Sequence, residues 1–593
     1  MKHNCERLGL PHWNAFWHKS GIYHSAIPGA PLHIPPDNVY TTPFDTHYIS
    51  QLALRTPFAE RWSRLLRFVE DGEYVMSIVH RYLERNTYDF NATSSLTVQQ
   101  ELAILSATTF YTTVDPAEFP LGARFLLRGE EDKDRNRLLC WTHLINEALL
   151  QCEDYLAITS TICDTLDSTT QVQPNDIATA VDIDKAFFGF QIHPLIQRLS
   201  ITYLPRLNRY VVPLRLPMGY RPAAELCNLA MLILAFQVSN TDGSSIKVGE
   251  EVRTFAHVDN VRFLARSPAV AAEAQELFIR LAARCGMKCS VTDPQIFLGM
   301  KWNYTTATVQ LTQKSLDRLT EGETVMQHGN DCTFRQYYTF FCRLLNYSRI
   351  LRYPLATIYQ LMKFTRKRLS TLQNADCPTK LWACLQPLLK SWITTLRANN
   401  PTRHTHDSVQ SDTVMFTDAS LSGWGAVIII GTRVYECQGR WPGIHTPKDI
   451  ARLEIQAIAQ ALTHCINTNL HLPPHLLIAV DSTTAANVIH KGHSLAFTCN
   501  SALMQVYQCL HALNIQTLAI AYIHTAQNPA DELSRFDFST LQHPRTGGKG
   551  GREAAGGIVS PLPPALGRLG ESVAAGQRYV RLPETAYTLR ATG

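Results

Sequence analysis

The chemistry open to this chain starts with two carboxylates at strand ends. The run IATAVDIDKAFFGFQIHP (Ile177–Pro194) opens on an apolar, β-prone segment that delivers Asp182, with Asp184 two residues on. A carboxylate at the end of a buried strand is costly unless it is paired or binds a metal. A second stretch, TFAHVDNVRFLA (Thr254–Ala265), has two apolar arms around Asp259-Asn260. Asp-Asn between β-prone runs is a hairpin-turn signal, which puts Asp259 at a hairpin tip. Two Asp converging from two strands form a site for two divalent cations about 3.5–4 Å apart, which hold the attacking and leaving oxygens of an in-line phosphoryl displacement. Each Asp alone also reads as an ordinary turn residue, so the rest of the chain decides.

Four more acids recur further along. Asp418 lies inside a strand in FTDASLSGWGAVIII, before a Gly-rich turn. Glu454 lies in a helical stretch, DIARLEIQAIAQALTHCI. Asp481 ends the apolar strand Leu476–Val480, and Asp531 follows the strand Leu518–Ile523 in NPADELSR. Three of the four sit at strand ends or just beyond. Strands alternating with helices predict a mixed α/β sheet with acids gathered at one edge. Such a cluster suits two-metal hydrolysis of a phosphodiester.

The elements that must position these acids fit a large folded chain. At 593 residues, with 45% hydrophobic and 18% charged residues, about three to five domains with sizeable cores are expected. A net charge of +5 permits nucleic-acid binding without demanding it, because a basic groove needs clustered charge rather than a high total. The first residues, MKHNCERLGLPHWNAF, contain no apolar signal core. The longest apolar run, Leu226–Val238, is broken by Asn228 and Gln237 and is too short to span a bilayer. The 15 Cys are scattered without a CxxC pair, and Cys285 and Cys289 have the wrong spacing for a zinc knuckle. That predicts reduced, mostly buried thiols in an intracellular protein, cytoplasmic or nuclear, with no membrane partner.

Taken in order, residues 1–95 form an N-terminal extension whose chemistry is unreadable. It is rich at first in Pro, His and aromatics, then helical from Phe58 to Arg85. The stretch RFLLRGEEDKDRNRLLCW reads as a hairpin exposing Arg128, Lys133, Arg135 and Arg137, suited to the phosphates of a nucleotide or to plain solvation. Residues 222–238 read as an apolar helix after a Pro/Gly turn. Ser267–Ala283 reads as an amphipathic helix with a Ser N-cap, and Ile296–Trp302 as a strand. Residues 313–395 are largely helical and interleave aromatics with Arg and Lys, as a face tracking a nucleic-acid backbone or the rim of a bundle would. Asn399–Asp412 reads as a linker. The tail from Leu541, rich in Gly, Ala and Pro, reads as disordered.

At these residues the chain resembles a reverse transcriptase joined to a ribonuclease H, over about residues 120–535. The order and spacing resemble DIRS-like retrotransposons, which use a tyrosine recombinase, and the VIPER elements of trypanosomes most of all. RLLCWTHLIN resembles the fingers motif that runs from an Arg to an LN pair nine residues on, which places Arg137 on the Arg that contacts the triphosphate, Asn146 in the LN pair and Trp141 on a usual Asp, with Arg128 or Lys133 as the partner cation. DIDKAFFGFQIHP resembles the first catalytic motif. It makes Asp182 a metal ligand and puts Phe187 on the aromatic that blocks a ribose 2′-hydroxyl. LPMGYRPAAELCN resembles the turn and helix that position template and nucleotide through Met218 and Gly219, with Ala224 where the family has Pro. AHVDN resembles the YxDD box, with His257 for Tyr, Asp259 on the first Asp and Asn260 on the second. Lys288 matches a Lys proposed to protonate the leaving pyrophosphate, and FLGMKW resembles the primer-grip strand. Asp418, Glu454, Asp481 and Asp531 fall on the ribonuclease H acids in order. His524, seven residues before Asp531, reads either as an aid to product release or as a strand-end structural His.

The resemblance implies an α+β fold: a right-hand polymerase of fingers, palm and thumb, followed by an α/β ribonuclease H-like domain. The expected division is 96–305 for fingers and palm, 306–400 for a helical thumb or connection, 405–540 for the ribonuclease H-like domain and 541–593 for the tail. It implies two Mg²⁺ or Mn²⁺ per active site, an RNA or DNA primer-template, an RNA–DNA hybrid and deoxynucleoside triphosphates as partners. With no recombinase signature visible, integration needs a separate recombinase or integrase. The departures at His257, Asn260 and Ala224 leave open a degenerate polymerase scaffold that binds nucleic acid, with ribonuclease H its sole activity or none.

Overall fold

Along Arg135–Trp141 every second side chain, Asn136, Leu138 and Cys140, is buried, while Arg135, Arg137, Leu139 and Trp141 stay half-buried. That period of two belongs to a strand with one covered face. In the computed structural model this strand pairs antiparallel with Arg124–Glu130 and, on its other edge, parallel with the short strand Leu32–His33. The structure describes residues 2–8, 10, 26–27, 29–34, 42–88, 96–115, 120–130, 135–162, 172–240, 252–327, 332–353, 355–403, 413–473, 475–494, 496–513, 515, 517–535 and 558–561. The hairpin tip that carries Lys133 lies outside them. The chain divides into two compact units, Trp13–Ala307 and Met1–His12 with Thr308–Gly593.

In the unit Trp13–Ala307 the acid-bearing strands form one antiparallel sheet. Its strands are β1 (Ile177–Ile183), β2 (Val252–His257), β3 (Asn260–Ala265) and β4 (Cys289–Thr292), in the order β4-β1-β3-β2. Two helices cover it: α1 (Ala223–Asn240) packs on β2, and α2 (Pro268–Arg284) on β1 and β3. Residues Leu226 to Leu234 of α1 are buried except for half-buried Leu232, which fits a helix apolar all round. The same core takes in Ile49, Trp62, Phe68 and Val79 from the N-terminal helices, so those helices share one interior with Val181 and Phe263.

Three local expectations change. The helical stretch from Phe58 is two helices, Ala59–Glu70 and Gly72–Arg85, because Asp71 leaves the helical region and its carboxylate accepts from the Tyr74 N–H. Ser267 precedes α2, but its side chain makes no cap bond, and Pro268 opens the helix instead. The single strand expected over Ile296–Trp302 is a tight hairpin, Ile296–Phe297 with Met300–Asn303. Its turn residues Leu298 and Gly299 take φ of +53° and +75°, and only the Gly advertises that bend in sequence.

In the other unit four helices, Gln313–Gln327, Phe334–Ile350, Tyr359–Thr371 and Gln386–Ala398, precede a mixed sheet. That sheet holds β5 (Thr413–Ala419), β6 (Gly423–Ile430), β7 (Arg433–Arg440), β8 (His475–Val480), β9 (Thr517–Tyr522) and β10 (Ile558–Pro561), in the order β9-β8-β5-β6-β7-β10. β8 lies parallel to both β5 and β9, and the other pairs are antiparallel. All seven residues of β5 are buried, as a central strand covered on both faces requires. Helix α3 (Ile450–Asn467) covers one face together with α4 (Phe497–Ala512). The short α5 (Asp531–Arg535) lies against the other. β10 falls inside the tail expected to be disordered. Ile558-Val559 is a β-prone pair, and pairing there satisfies the open edge of β7. Residues 536–557 and 562–593 lie outside the described residues. The whole is α+β, and among the described residues no helix is long and apolar enough to cross a membrane.

Candidate active sites

In the first unit the strand pairing brings Asp182 and Asp259 side by side. Asp182 on β1 lies opposite Asn260 on β3, and the Ile183 N–H donates to the Asp259 carbonyl at 2.9 Å. The hairpin turn is one residue earlier than Asp259-Asn260: His257 pairs with Asn260, so Val258 and Asp259 make the turn. A β-branched residue at φ +58°, as Val258 has, is a strained placement of a kind that clusters at functional sites. A part-buried chain of hydrogen bonds holds it. The Val258 N–H donates to Asn228 Oδ1 at 2.8 Å, and Asn228 Nδ2 donates to Thr161 Oγ1 at 3.0 Å. The Thr161 hydroxyl and N–H donate to the Glu225 carboxylate, whose other oxygen accepts from Ser160 at 2.7 Å.

Half-buried Asp259 is pushed above the usual carboxylate range by burial, and three groups oppose the shift: a backbone N–H, the Asn260 amide and the Arg137 guanidinium. Asn260 Nδ2 donates to Asp259 Oδ1 at 3.0 Å. A second acid there would repel where the amide donates. Arg137 also reaches Met218 Sδ, at 3.8 Å, so Asp259, Arg137 and Met218 form one neighbourhood. Asn146, in the helix His143–Leu149 that follows the strand Arg135–Trp141, ties the 216–221 loop in place: its Nδ2 donates to the Gly219 carbonyl at 2.7 Å and its Oδ1 accepts from the Arg221 N–H at 2.8 Å. Gly219 has φ +133°, and a Cβ there would sit 2.4 Å from the Cys140 carbonyl oxygen, so only glycine fits.

Of the pair Phe187-Phe188, Phe188 is buried edge-on against Phe110 with centroids 5.0 Å apart, while Phe187 stays half-buried. Lys288 approaches Asp184: its carbonyl accepts from the Asp184 N–H at 3.0 Å, and the Ser290 hydroxyl donates to Asp184 Oδ1. Lys288 and Arg135 both lie near Lys185, whose ammonium is held below the ordinary lysine range chiefly by burial.

In the second unit Asp418 lies inside β5, Asp481 directly follows β8, Asp531 opens α5 and Glu454 lies in the second turn of α3. One carboxylate oxygen from each of Asp418, Asp481 and Asp531 lies within 4.8 Å of the others. Asp418 is 4% exposed and Glu454 7%. Burial, with the neighbouring acids adding to it, pushes Asp418 up to about 7. Burial first, then Asp418, Asp481 and Asp531, pushes Glu454 up to about 9. Glu454 Oε2 is buried with no hydrogen-bond partner, an arrangement costly in itself and relieved by a divalent cation. These residues therefore fit a metal centre, and the acids of the first unit, with fewer carboxylates and an amide beside them, fit one less fully.

Gly425 lies opposite Asp418, and a Cβ on it would meet Leu533 Cβ at 2.5 Å and the Ser534 N at 2.7 Å. The bare glycine lets α5 rest directly on the sheet. Asn528 fixes the approach, donating to the Thr417 carbonyl at 3.1 Å and accepting from the Ala530 N–H at 3.2 Å. His524 is exposed, and its Nδ1 accepts from the Ala526 N–H, so it caps a turn.

No family model matches the chain, and no curated protein matches it by sequence. Among solved structures it is similar to the foamy viral protease-reverse transcriptase. Against the dRH form in complex with double-stranded DNA, identity is 12% and TM-score 0.41, over 83% of this chain and 84% of that one. Against the same protein with double-stranded DNA, the values are 12% and 0.42, over 81% and 97%. Against its RNA/DNA hybrid complex they are 13% and 0.42, over 84% of this chain but only 66% of that one. Likenesses this loose decide nothing about the sites, whose reading rests on their own geometry.

Sequence reasoning passed over Asn228, Glu225, Asn528 and Ser534. A signal existed for two of them: Glu225 and Asn228 are polar residues three apart on one face of an otherwise apolar helix. Asn528 and Ser534 had no periodic signal, because their partners lie more than a hundred residues away.

Proposed function

We propose that the chain is an RNA-directed DNA polymerase with ribonuclease H activity, copying a retrotransposon RNA, of the DIRS-like kind, and degrading the RNA of the resulting hybrid. The observation that carries this reading is the convergence of acids in each unit: Asp182 on β1 beside Asp259 in the turn that leads into β3, and Asp418, Asp481 and Asp531 within 4.8 Å of one another, with buried Glu454 near enough to be pushed up by all three. In this reading residues 96–305 are fingers and palm, 306–400 the thumb or connection, and 405–540 the ribonuclease H-like domain.

In the polymerase half Asp182 and Asp259 would hold Mg²⁺ or Mn²⁺. Bound there, the ions neutralise charge on the transferring phosphoryl group and favour attack by a primer 3′-hydroxyl. The chain's own residues do the rest. Arg137 supplies a planar cation for the triphosphate. Gly219 lets backbone approach closely, and Met218 packs beside Arg137. Phe187, the half-exposed ring of its pair, excludes a ribose 2′-hydroxyl and so selects deoxynucleoside triphosphates. Lys288 stands by as a proton donor to pyrophosphate. In the second half Asp418, Glu454, Asp481 and Asp531 would hold the cations for hydrolysis of the RNA strand. Primer-template and hybrid are the nucleic-acid partners, and a separate recombinase completes integration.

One observation favours a second reading, in which ribonuclease H is the sole activity: Asn260 leaves the polymerase half two acids where the other half has four. Separate knockouts test the two-site account. Asp182→Ala abolishes primer extension and spares hybrid cleavage, and Glu454→Gln does the reverse. Loss of both activities in either folded variant would sink it.

A further inference from the structure

Ser534 contacts two of the four acids' elements at once. It is fully buried in the last turn of α5. Its hydroxyl donates to Asp418 Oδ2 at 2.5 Å and lies 2.9 Å from the Asp531 carbonyl oxygen. Its own carbonyl accepts from the Ser420 hydroxyl at 2.7 Å, which ties α5 to the end of β5. Gly425, opposite Asp418, leaves the space that α5 occupies. Nothing in the reaction assigned to the cluster requires a serine here.

A hydroxyl has one proton to give, and a carboxylate is the stronger acceptor for it. An aspartate carboxylate otherwise turns broadly about its last torsion. Anchored through one oxygen, it presents the other in a fixed direction. We propose that Ser534 is a positioning residue of the acidic cluster, fixing the Asp418 carboxylate in the orientation that receives a divalent cation. The inference rests on the reading of these acids as a nuclease metal centre. Partners of this kind that hold a metal ligand in place are typically worth about 10–100-fold in metal affinity.

The test is Mn²⁺ titration of the full-length chain without nucleic acid, followed by electron paramagnetic resonance. Asp182→Asn and Asp259→Asn are present throughout, so that only the second unit's acids contribute. Ser534→Ala is expected to weaken Mn²⁺ binding about 10-fold or more, with the thermal unfolding transition kept. In an Asp418→Asn background the same substitution is expected to cost nothing further. Equal affinity in the parent and Ser534→Ala overturns the inference while leaving the metal centre standing. A parent that binds no Mn²⁺ overturns the metal centre and the inference with it. Should Ser534→Ala fail to fold, Ser534→Cys keeps the shape with a weaker donor. A several-fold loss there supports the inference, and parental affinity overturns it.

Discussion

Asn260 and Glu454 show two ways of living with buried negative charge. Beside Asp259 an amide donates where a second acid would repel, which offsets part of the cost of burial while the carboxyl stays above its usual range. Around Glu454 no such donor reaches Oε2, and the acid's pKa rises to about 9 from an ordinary 4.5. The consequence for stability has a definite sign. A group whose folded pKa lies above its unfolded one stabilises most below pH 4.5 and loses that contribution as pH rises towards 9. Glu454→Gln cannot ionise, and its amide can donate to the neighbouring acids. The metal-free variant should therefore unfold at higher urea than wild type at pH 8, by about 1–3 kcal/mol, with the difference vanishing near pH 4. Equal urea midpoints at pH 8 would mean that Glu454 is not crowded by its neighbours. The strand-end positions of Asp182 and Asp481 were legible, because an apolar run ending in Asp is a simple pattern, whereas Glu454 sits inside a helix and Asp259 in a turn, where that pattern does not reach. The groups that hold them were not: Asn528 and Ser534 act across distances of sequence that no local pattern spans.

At the scale of elements, the close approaches matter most. The 216–221 loop lies against the strand Arg135–Trp141 because Gly219 has no side chain and Asn146 bridges the gap. Gly219→Ala would drive a Cβ to 2.4 Å from the Cys140 carbonyl and part the two. The expected outcome is a loss of primer extension of at least about 10-fold, in keeping with what misplacement near reacting groups costs, while hybrid cleavage is unchanged. Extension at the wild-type rate would remove this loop from the proposed polymerase site. The strands and long helices were readable from periodicity. The bends were readable only in part: Asp259-Asn260 and Gly299 signal turns, but Val258 and Leu298 are poor residues for positive φ, so the residues that make the turns were not. The strand Leu32–His33 was also illegible. It is held by Asn136, which bonds to Ile27 and Ala30, a pairing across roughly a hundred residues.

For the whole molecule, the division at Ala307 and Thr308 puts each group of acids in its own compact unit. Two sites in two units should fail independently, and that independence separates a working polymerase–nuclease from a nuclease on an inert scaffold. The most direct measurement is deoxynucleotide incorporation on a primed RNA template with Mg²⁺ or Mn²⁺, run beside Asp259→Ala. The account predicts incorporation by the wild-type chain that the variant loses while still cleaving hybrid. No incorporation, from wild-type protein that cleaves the RNA of a hybrid, would contradict it and leave ribonuclease H as the sole activity.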